Sequence, residues 1–205
     1  MNNLQGVITG RFDNTYEAYE YVLKEILKKK YKIIGDGKIS YESRAFLQLG
    51  SEDMSKYFQL KNGEIIFLES LEKYGDKKNS IIKEECEYIY DTLFNLKKLE
   101  KAISILRKNK SSKKSIINIA APPKPRNDKI PPCMTYISFR VINNRLNMSC
   151  HMRADNAYRI LLADLFLGQF LQEEASKMLN LKKGQYYHII DSLHMYKKEV
   201  PKLFS

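Results

Sequence analysis

The side chains best suited to covalent chemistry lie in the second half of the chain. Cys133 follows two prolines, and Arg153 comes twenty positions later. A cysteine attacks as its thiolate, and a nearby guanidinium such as that of Arg153 would favour the charged form. His194 and Tyr196 are two residues apart, so on an extended segment both side chains point the same way. These residues can act together only if the fold brings them to one place.

An aspartate, Asp164, lies inside a long apolar helix pattern, between Ala163 and Leu165. Exposed acids on helices are common, but an unpaired charge inside such an apolar run would be costly. This position favours a functional role for Asp164. Cys86 and Cys150 carry no comparable signal, and an unreactive place in the core is the plainer prediction for both.

Hydrophobic periodicity places these residues on an α+β scaffold. Helices are predicted over residues 16–30, 81–108 with a possible break near Asn95, and 157–179. Strands are predicted over 38–49, 115–119, 136–141, 145–152 and 185–190, with turns at 62–63, 143–144 and 182–184. Residues 65–74 fit either a short helix or a strand. The pattern as a whole predicts long helices packed on a mostly antiparallel sheet.

Length and composition indicate one domain covering residues 1–205. The chain is 43% hydrophobic, which is enough to bury a sizeable core. Its three cysteines are an odd number without metal-ligand spacing, so neither a disulfide framework nor a bound metal is expected. No apolar run is long enough to span a bilayer, and the first residues lack a signal-peptide pattern. These features predict a cytoplasmic protein without a membrane partner.

The net charge of +11 points to an anionic partner without naming it. Nucleic acid, a nucleotide phosphate or a polyanionic cofactor would each fit. Much of the excess lies in short runs of lysine and arginine, and such runs are most often solvated helix faces. One of them, residues 110–114, is predicted to be a basic loop.

The motifs around Cys133 resemble those of the thymidylate synthase superfamily. The family's Pro-Cys nucleophile motif matches Pro132-Cys133, and its arginine, twenty positions later, matches Arg153. The family's glycine and its His-x-Tyr pair match Gly184, His194 and Tyr196 without gaps. In the family that pair hydrogen-bonds the sugar hydroxyl of the nucleotide. The resemblance implies a thymidylate synthase-like fold and a nucleotide site.

Basic residues at three places match the family's phosphate contacts. Ser112-Lys113-Lys114 is similar to the Ser-Arg-Arg that precedes the family's cysteine. Gly35-x-Gly37 is similar to its phosphate loop, whose arginine position falls on Ile33, beside Lys32. The resemblance implies that Arg153, Lys113, Lys114 and Lys32 bind the phosphate of a pyrimidine nucleoside monophosphate. In the family the basic pair reaches into the neighbouring subunit's site, so a homodimer is implied.

The resemblance also implies roles for the remaining catalytic and cofactor residues. Cys133 would add to C6 of the pyrimidine, because C5 becomes nucleophilic only after such an addition. The family's essential glutamate corresponds to Glu69, with Glu64 and Glu72 as alternatives because the match needs a gap; it would position a water and move protons. Tyr90 stands where the family has an active-site tyrosine, and is assigned to the folate site.

Departures from the family's pattern indicate a different base and product. Asp164 replaces the asparagine of uracil-acting synthases. An ionised carboxylate only accepts hydrogen bonds, so it favours the amino group and the protonated N3 of cytosine. An aspartate at this position resembles the cytidylate hydroxymethylase branch. Asn156 replaces an aspartate that serves the folate. The chain also stops at Ser205, before the tail that closes over folate, so water could replace hydride. Ala154 replaces a phosphate-contacting serine, as in some ribonucleotide-using relatives.

The sequence therefore predicts a hydroxymethyltransferase that acts on CMP or dCMP, with a lean to CMP. Its one-carbon donor would be 5,10-methylenetetrahydrofolate, and no metal would be needed. A dUMP hydroxymethylase or a thymidylate synthase is the nearest alternative. A basic nucleic-acid-binding relative without catalysis is the alternative from a different class, and it predicts strongly salt-dependent binding. Nucleic acid is the less favoured partner.

Overall fold

The computed structural model of the chain describes residues 7–29, 31–33, 39–55, 58–61, 64–67, 97–119 and 132–203. For residues 31–33, 58–61, 64–67 and 201–203 it describes the backbone alone. Within these ranges the chain forms an α+β fold with a large mixed sheet and three α-helices.

Ten strands are described, and eight of them join one sheet. They are β1 (Val7–Phe12), β2 (Tyr31–Ile33), β3 (Ile39–Leu49), β4 (Phe58–Lys61), β5 (Glu64–Phe67), β6 (Ile116–Asn118), β7 (Met134–Ile142), β8 (Arg145–Met152), β9 (Asp155–Asn156) and β10 (Lys182–Tyr196). The large sheet runs β1-β3-β10-β8-β7-β6, with β2 paired to β3 and β9 paired to β10, while β4 and β5 pair with each other. Four of the seven described pairings in the large sheet are antiparallel.

The three helices pack against the sheet. They are α1 (Thr15–Leu27), α2 (Lys98–Lys108) and α3 (Leu161–Leu179), and a 3₁₀-helix follows β10 at Lys197–Leu203. Helix α3 contacts both other helices as well as β8 and β10. Its central place explains why apolar residues cover nearly its whole circumference rather than one stripe.

Most of the predicted elements are confirmed within the described residues. The hairpin of β7 and β8 turns at Asn143 and Asn144, whose φ angles are 50° and 55°. Two successive positive φ angles are the mark of the two-residue turn that matches strand twist, and asparagine tolerates them. Of the stretch 65–74, residues through Phe67 belong to strand β5, which favours the strand over the helix.

The predicted start of the last long helix is wrong by four residues. Helix α3 begins at Leu161 rather than at 157. Residues 155–156 instead pair with β10 as strand β9. The side-chain oxygen of Asn156 then accepts the backbone N–H groups of Tyr158 at 3.0 Å and Arg159 at 2.9 Å. This local turn competes with helix geometry and delays the helix.

The turn predicted over residues 182–184 is also wrong, because those residues already belong to β10. The strand extends to Tyr196, six residues beyond its predicted end. Gly184 lies where a Cβ atom would come within 1.9 Å of the Asn147 side-chain oxygen. A glycine is therefore required here because two strands approach closely, not because the chain turns. Strand β1, which pairs in parallel with β3, was not predicted.

Candidate active site

Cys133 and Arg153 are neighbours at one end of the sheet. Cys133 precedes β7 and Arg153 follows β8, and these strands pair with Met134 opposite Met152. The backbone N–H of Arg153 donates to the Cys133 carbonyl at 2.9 Å, and its Nε donates to the Pro132 carbonyl at 3.1 Å. Cys133 is half-buried. The spacing of twenty residues is the length of a hairpin that returns to its starting point.

Asp164 lies in the first turn of α3 and is only 4% exposed. Its backbone N–H donates to the Ile160 carbonyl at 3.0 Å. The amino end of a helix carries a partial positive charge, which stabilises a carboxylate in the first turn. Asp164 is therefore a buried acid rather than an exposed acid on the surface of the helix.

His194 and Tyr196 lie together near the carboxyl end of β10. Their ring centroids are 5.3 Å apart with planes at 69°, as expected for alternate residues of one strand. The pairing register of β10 shifts between Ile190 and Leu193, after which the strand pairs with β9. The His194 carbonyl accepts the N–H of Ala157 at 2.8 Å. This pairing brings the end of β10 to the entry of α3.

Asn156 is hydrogen-bonded on all sides within the chain. Besides the two N–H groups that its oxygen accepts, its amide nitrogen donates to the buried carboxylate of Glu199 at 3.2 and 3.5 Å. Glu199 also accepts from Arg159 Nε and, at 2.8 Å, from the backbone N–H of Tyr196. These contacts join β9, β10 and the 3₁₀-helix. The Asn156 side chain is therefore held in place by bonds within the chain.

Two of the proposed phosphate residues, Lys113 and Lys114, are remote from Cys133 within one chain. Both are exposed and precede β6. The adjoining Ser115 carbonyl accepts the N–H of Phe139 at 2.9 Å, six residues along β7 from Cys133. At roughly 3.3 Å per residue, that separation is about 20 Å. Ala154, in contrast, directly follows Arg153 and is half-buried.

Several predicted residues cannot be placed. Glu69, Glu72 and Tyr90 lie outside the described residues, as do Cys86 and the segment 35–37, and only the backbone is described for Lys32 and Glu64. The described part of the site therefore consists of Cys133, Arg153, Ala154, Asn156, Asp164, His194 and Tyr196. All of them lie at the carboxyl ends of β8, β9 and β10, at the start of β7, or at the start of α3.

A group of buried polar residues beside these was not predicted. Tyr186 Oη lies 2.6 Å from His188 Nδ1, and His188 Nε2 lies 3.6 Å from Asp155 Oδ2. Burial lowers the pKa of His188 to about 3 and raises the pKa of Asp155 well above its usual range. A histidine at an inward position of an apolar strand was the available signal. Cys150, predicted to be core, is fully buried beside them, and burial raises the pKa of its thiol.

The described residues give the site a thiol, a guanidinium and an interior acid. Such a set can form a covalent bond, bind an anion and select a polar ring edge. Among the described residues no group of three or more potential ligands is arranged to hold a metal ion. None of the helices that the structure describes is long and apolar enough to cross a membrane.

Comparison with known proteins decides the family. The thymidylate synthase family model matches residues 64–204. The chain belongs to the thymidylate synthase family. It is 24% identical to a thymidylate synthase from Staphylococcus haemolyticus over 136 residues, which are 62% of this chain and 40% of that relative. It is 24% identical to one from Mycoplasma mobile over 95 residues, 46% of this chain and 33% of the relative. The matched parts thus cover less than half of either relative.

Proposed function

We propose that this thymidylate synthase family member is a pyrimidine nucleotide 5-hydroxymethyltransferase acting on CMP or dCMP. Asp164 carries the proposal. A carboxylate in the first turn of α3, 4% exposed, offers only acceptors to a base. The amino group and a protonated N3 of cytosine are donors and suit it. The O4 of uracil is an acceptor and would be repelled.

Cys133 supplies the covalent step in this proposal. Its thiolate would add to C6 of the base, and the electron pair of the ring would then make C5 nucleophilic. Arg153, which holds the Pro132 carbonyl beside the cysteine, supports this role because a guanidinium favours a thiolate. Asp164 would hold the protonated N3 while charge develops on the ring. Release of Cys133 from C6 would complete the reaction.

In this proposal 5,10-methylenetetrahydrofolate donates the one-carbon unit, and water supplies the hydroxyl group. The folate would supply the carbon that joins C5. Loss of the C5 proton and cleavage of the bond from that carbon to the folate nitrogen would then release tetrahydrofolate and leave an exocyclic methylene on the ring. Water would add to this methylene and give the hydroxymethyl group. Glu69 is proposed to position this water, with Glu64 and Glu72 as alternatives. Asn156, whose side chain is held by bonds within the chain, and Tyr90 are proposed to lie at the folate site.

His194, Tyr196 and the basic residues are proposed to bind the sugar and phosphate. The two rings lie 5.3 Å apart on the same side of β10, which supports a shared contact with a sugar hydroxyl. Among the residues described near Cys133, Arg153 is the candidate for binding the phosphate. Lys113 and Lys114 lie too far along β6 and β7 to reach Cys133 of their own chain. Their place supports a homodimer in which each pair serves the partner's site.

Product analysis tests the proposal directly. The purified protein is incubated with methylenetetrahydrofolate and either CMP, dCMP or dUMP, and the nucleotides are weighed by mass spectrometry. We expect a gain of one CH₂O unit on a cytidine nucleotide, lost in Cys133→Ala. Asp164→Asn should move the preference at least about tenfold toward dUMP, since it exchanges an acceptor for a donor. The exposed acid change Asp191→Asn serves as the matched control.

The same assay separates the rival functions. A hydroxymethyl product on dUMP alone would contradict the cytosine assignment. A gain of CH₂ on dUMP would identify a thymidylate synthase. No turnover of any nucleotide, together with salt-dependent binding of RNA or DNA that Cys133→Ala leaves unchanged, would favour the non-catalytic alternative.

A further inference from the structure

Arg159 is a charged residue at the edge of the candidate site that the proposed chemistry does not use. It lies between β9 and α3, and its side chain is 34% exposed. Its Nε donates to the carboxylate of Glu199, which is buried. Among the residues that the structure describes, none is a hydrogen-bond or ion-pair partner of Arg159 Nη1 or Nη2. The guanidinium therefore reaches the surface with one edge bound to Glu199 and its Nη edge unused by these residues.

Hydrogen bonds on both sides hold Arg159 in this position. Its backbone N–H donates to the side-chain oxygen of Asn156 at 2.9 Å. The carbonyl of the neighbouring Tyr158 accepts from the hydroxyl of Tyr19 at 3.2 Å, so α1 holds the same turn. The bond from Nε to Glu199 fixes the far end of the side chain. An arginine held in this way has already lost much of the conformational freedom that binding a ligand would otherwise cost.

The Glu199 carboxylate places this guanidinium beside the proposed sugar contacts. Its Oε1 accepts from Arg159 Nε, and its Oε2 accepts from the backbone N–H of Tyr196 at 2.8 Å. These two donors are therefore separated by no more than one carboxylate and two hydrogen bonds. The ring of Tyr196 in turn contacts that of His194. Arg159 thus lies in the same small region as the rings assigned to the sugar.

The geometry and the charge of this region suit an oxyanion. The Nη1 and Nη2 groups of a guanidinium offer parallel N–H donors, which match two oxygens of a carboxylate or a phosphate. The 3₁₀-helix that supplies Glu199 begins with Lys197 and Lys198, both exposed. Because these lysines outnumber the single acid of that segment, the surface near Arg159 attracts anions.

We propose that Arg159 is a further substrate-binding residue, whose Nη1 and Nη2 groups bind an oxyanion of a ligand in the candidate site. Glu199 is its positioning residue, because it binds Nε and leaves the Nη edge for the ligand. The inference rests on the proposed function for the identity of the ligands. Those ligands carry two suitable groups, the phosphate of the nucleotide and the carboxylates of the folate, and binding measurements distinguish them.

Two substitutions separate the fork of donors from the positive charge. Arg159→Gln removes the charge. Arg159→Lys keeps the charge and still pairs with Glu199, but one ammonium group then cannot also offer two parallel donors to a ligand. Arg145→Gln is the matched control, since Arg145 is exposed, donates to the Lys183 carbonyl at 3.0 Å and begins β8 at the end remote from Cys133. Urea unfolding gives the stability of each variant.

Calorimetry measures the Kd of each protein for two pairs of ligands. The first pair is the cytidine nucleotide that binds more tightly, CMP or dCMP, and its nucleoside. The second pair is tetrahydrofolate and its diamide, in which both glutamate carboxylates are amides, each measured with and without the nucleotide. Both Arg159 variants should weaken the binding of the nucleotide or of tetrahydrofolate at least about tenfold. The ligand that lacks the anionic group should bind them as it binds the unmodified protein, and Arg145→Gln should change no Kd.

A loss confined to the nucleotide would identify its phosphate as the partner of Arg159, and a loss confined to tetrahydrofolate would identify the carboxylates. Unchanged affinities in both variants, or equal losses for charged and uncharged ligands, would refute the proposal. An Arg159→Lys protein that binds both ligands at full strength would also refute it, because the pair with Glu199 would then be sufficient. If Arg159→Gln does not fold, Arg159→Lys decides. A protein that binds both ligands but forms no hydroxymethyl product would refute the proposed function alone.

Discussion

Asp155 and His188 occupy the interior as a neutral pair, and this has a consequence for stability at different pH values. Their ordinary pKa values are 3.8 and 6.5, and burial raises the first and lowers the second to about 3. Between pH 3.8 and 6.5 the unfolded chain holds one proton on His188. Because burial raises the pKa of Asp155, the folded chain holds one proton there at pH values below that raised pKa. In that part of the range folding binds and releases no net proton through this pair.

Replacing one member should expose the pH dependence of the other. In Asp155→Asn the folded state no longer binds the proton, whereas unfolded His188 does below pH 6.5, so stability should fall as pH decreases toward 3. In His188→Gln the folded state alone binds it, so stability should fall as pH rises above 3.8. Each slope should approach about 1.4 kcal/mol per pH unit. Urea unfolding from pH 4 to 6.5 measures the slopes. Equal slopes in all three proteins would contradict the neutral pair.

At the scale of elements, Glu199 connects the segments that form the candidate site. It is 1% exposed, and its carboxylate accepts from Asn156, Arg159 and the backbone of Tyr196. Through these bonds the 3₁₀-helix after β10 is joined to β9 and to the turn before α3. The end of β10 and the start of α3 carry the proposed sugar and base contacts. This carboxylate reinforces the pairing of β9 with β10 and the bond from the Ala157 N–H to the His194 carbonyl, which also join them.

We expect Glu199→Ala to destabilise the protein by about 3 kcal/mol, because it leaves the Asn156 amide and the Arg159 guanidinium without their buried acceptor. Glu174→Ala removes an acceptor from the exposed Lys177 near the end of α3, and should change stability by less than about 1 kcal/mol. Chemical unfolding of both variants makes the comparison. A Glu199→Ala protein as stable as the control would show that these bonds do not hold the segments together.

At the scale of the whole molecule, one face of the sheet is uncovered in the described chain. Phe46, Ile189, His151 and Tyr136 are successive cross-strand partners on β3, β10, β8 and β7. Phe46 is 42% and Tyr136 38% exposed. A continuous row of large side chains across four strands is typical of a surface that binds another protein. It suits the self-association that the placement of Lys113 and Lys114 supports.

We expect the protein to form a dimer through this row. Phe46→Lys should weaken the dimer at least about tenfold, because it places a charge in an apolar contact. Ile142→Lys is the control, since Ile142 is 49% exposed but lies at the hairpin end outside the row. Sedimentation equilibrium gives the mass of each protein. A monomeric unmodified protein would contradict the homodimer, and a Phe46→Lys dimer of full strength would place the contact elsewhere.

Local patterns were sufficient for much of the fold. The hairpin of β7 and β8 turns at two asparagines and depends on neighbouring residues only. Because the hairpin is local, so is the placement of Arg153 next to Cys133. The start of α3 and the carboxyl end of β10, in contrast, depend on partners that are distant in the sequence. Asn156 delays the helix through a turn that is completed by Glu199. Strand β10 continues past Ile190 because β3 stays paired with it to Tyr196 and β9 follows β8 on its other edge. Neither partner is visible in a short window of sequence.

The sequence by itself determined the family motifs and the candidate residues, because their spacing is fixed by strands and turns that form locally. Only the tertiary structure decided which candidates meet in one chain, since that depends on the order of strands in the sheet. It separated Lys113 and Lys114 from Cys133 by most of a strand, bound the Asn156 amide to Glu199, and enclosed Asp155, His188 and Tyr186 beside α3. Burial raises the pKa of Asp155 and lowers that of His188, which favours the proton on the carboxyl group.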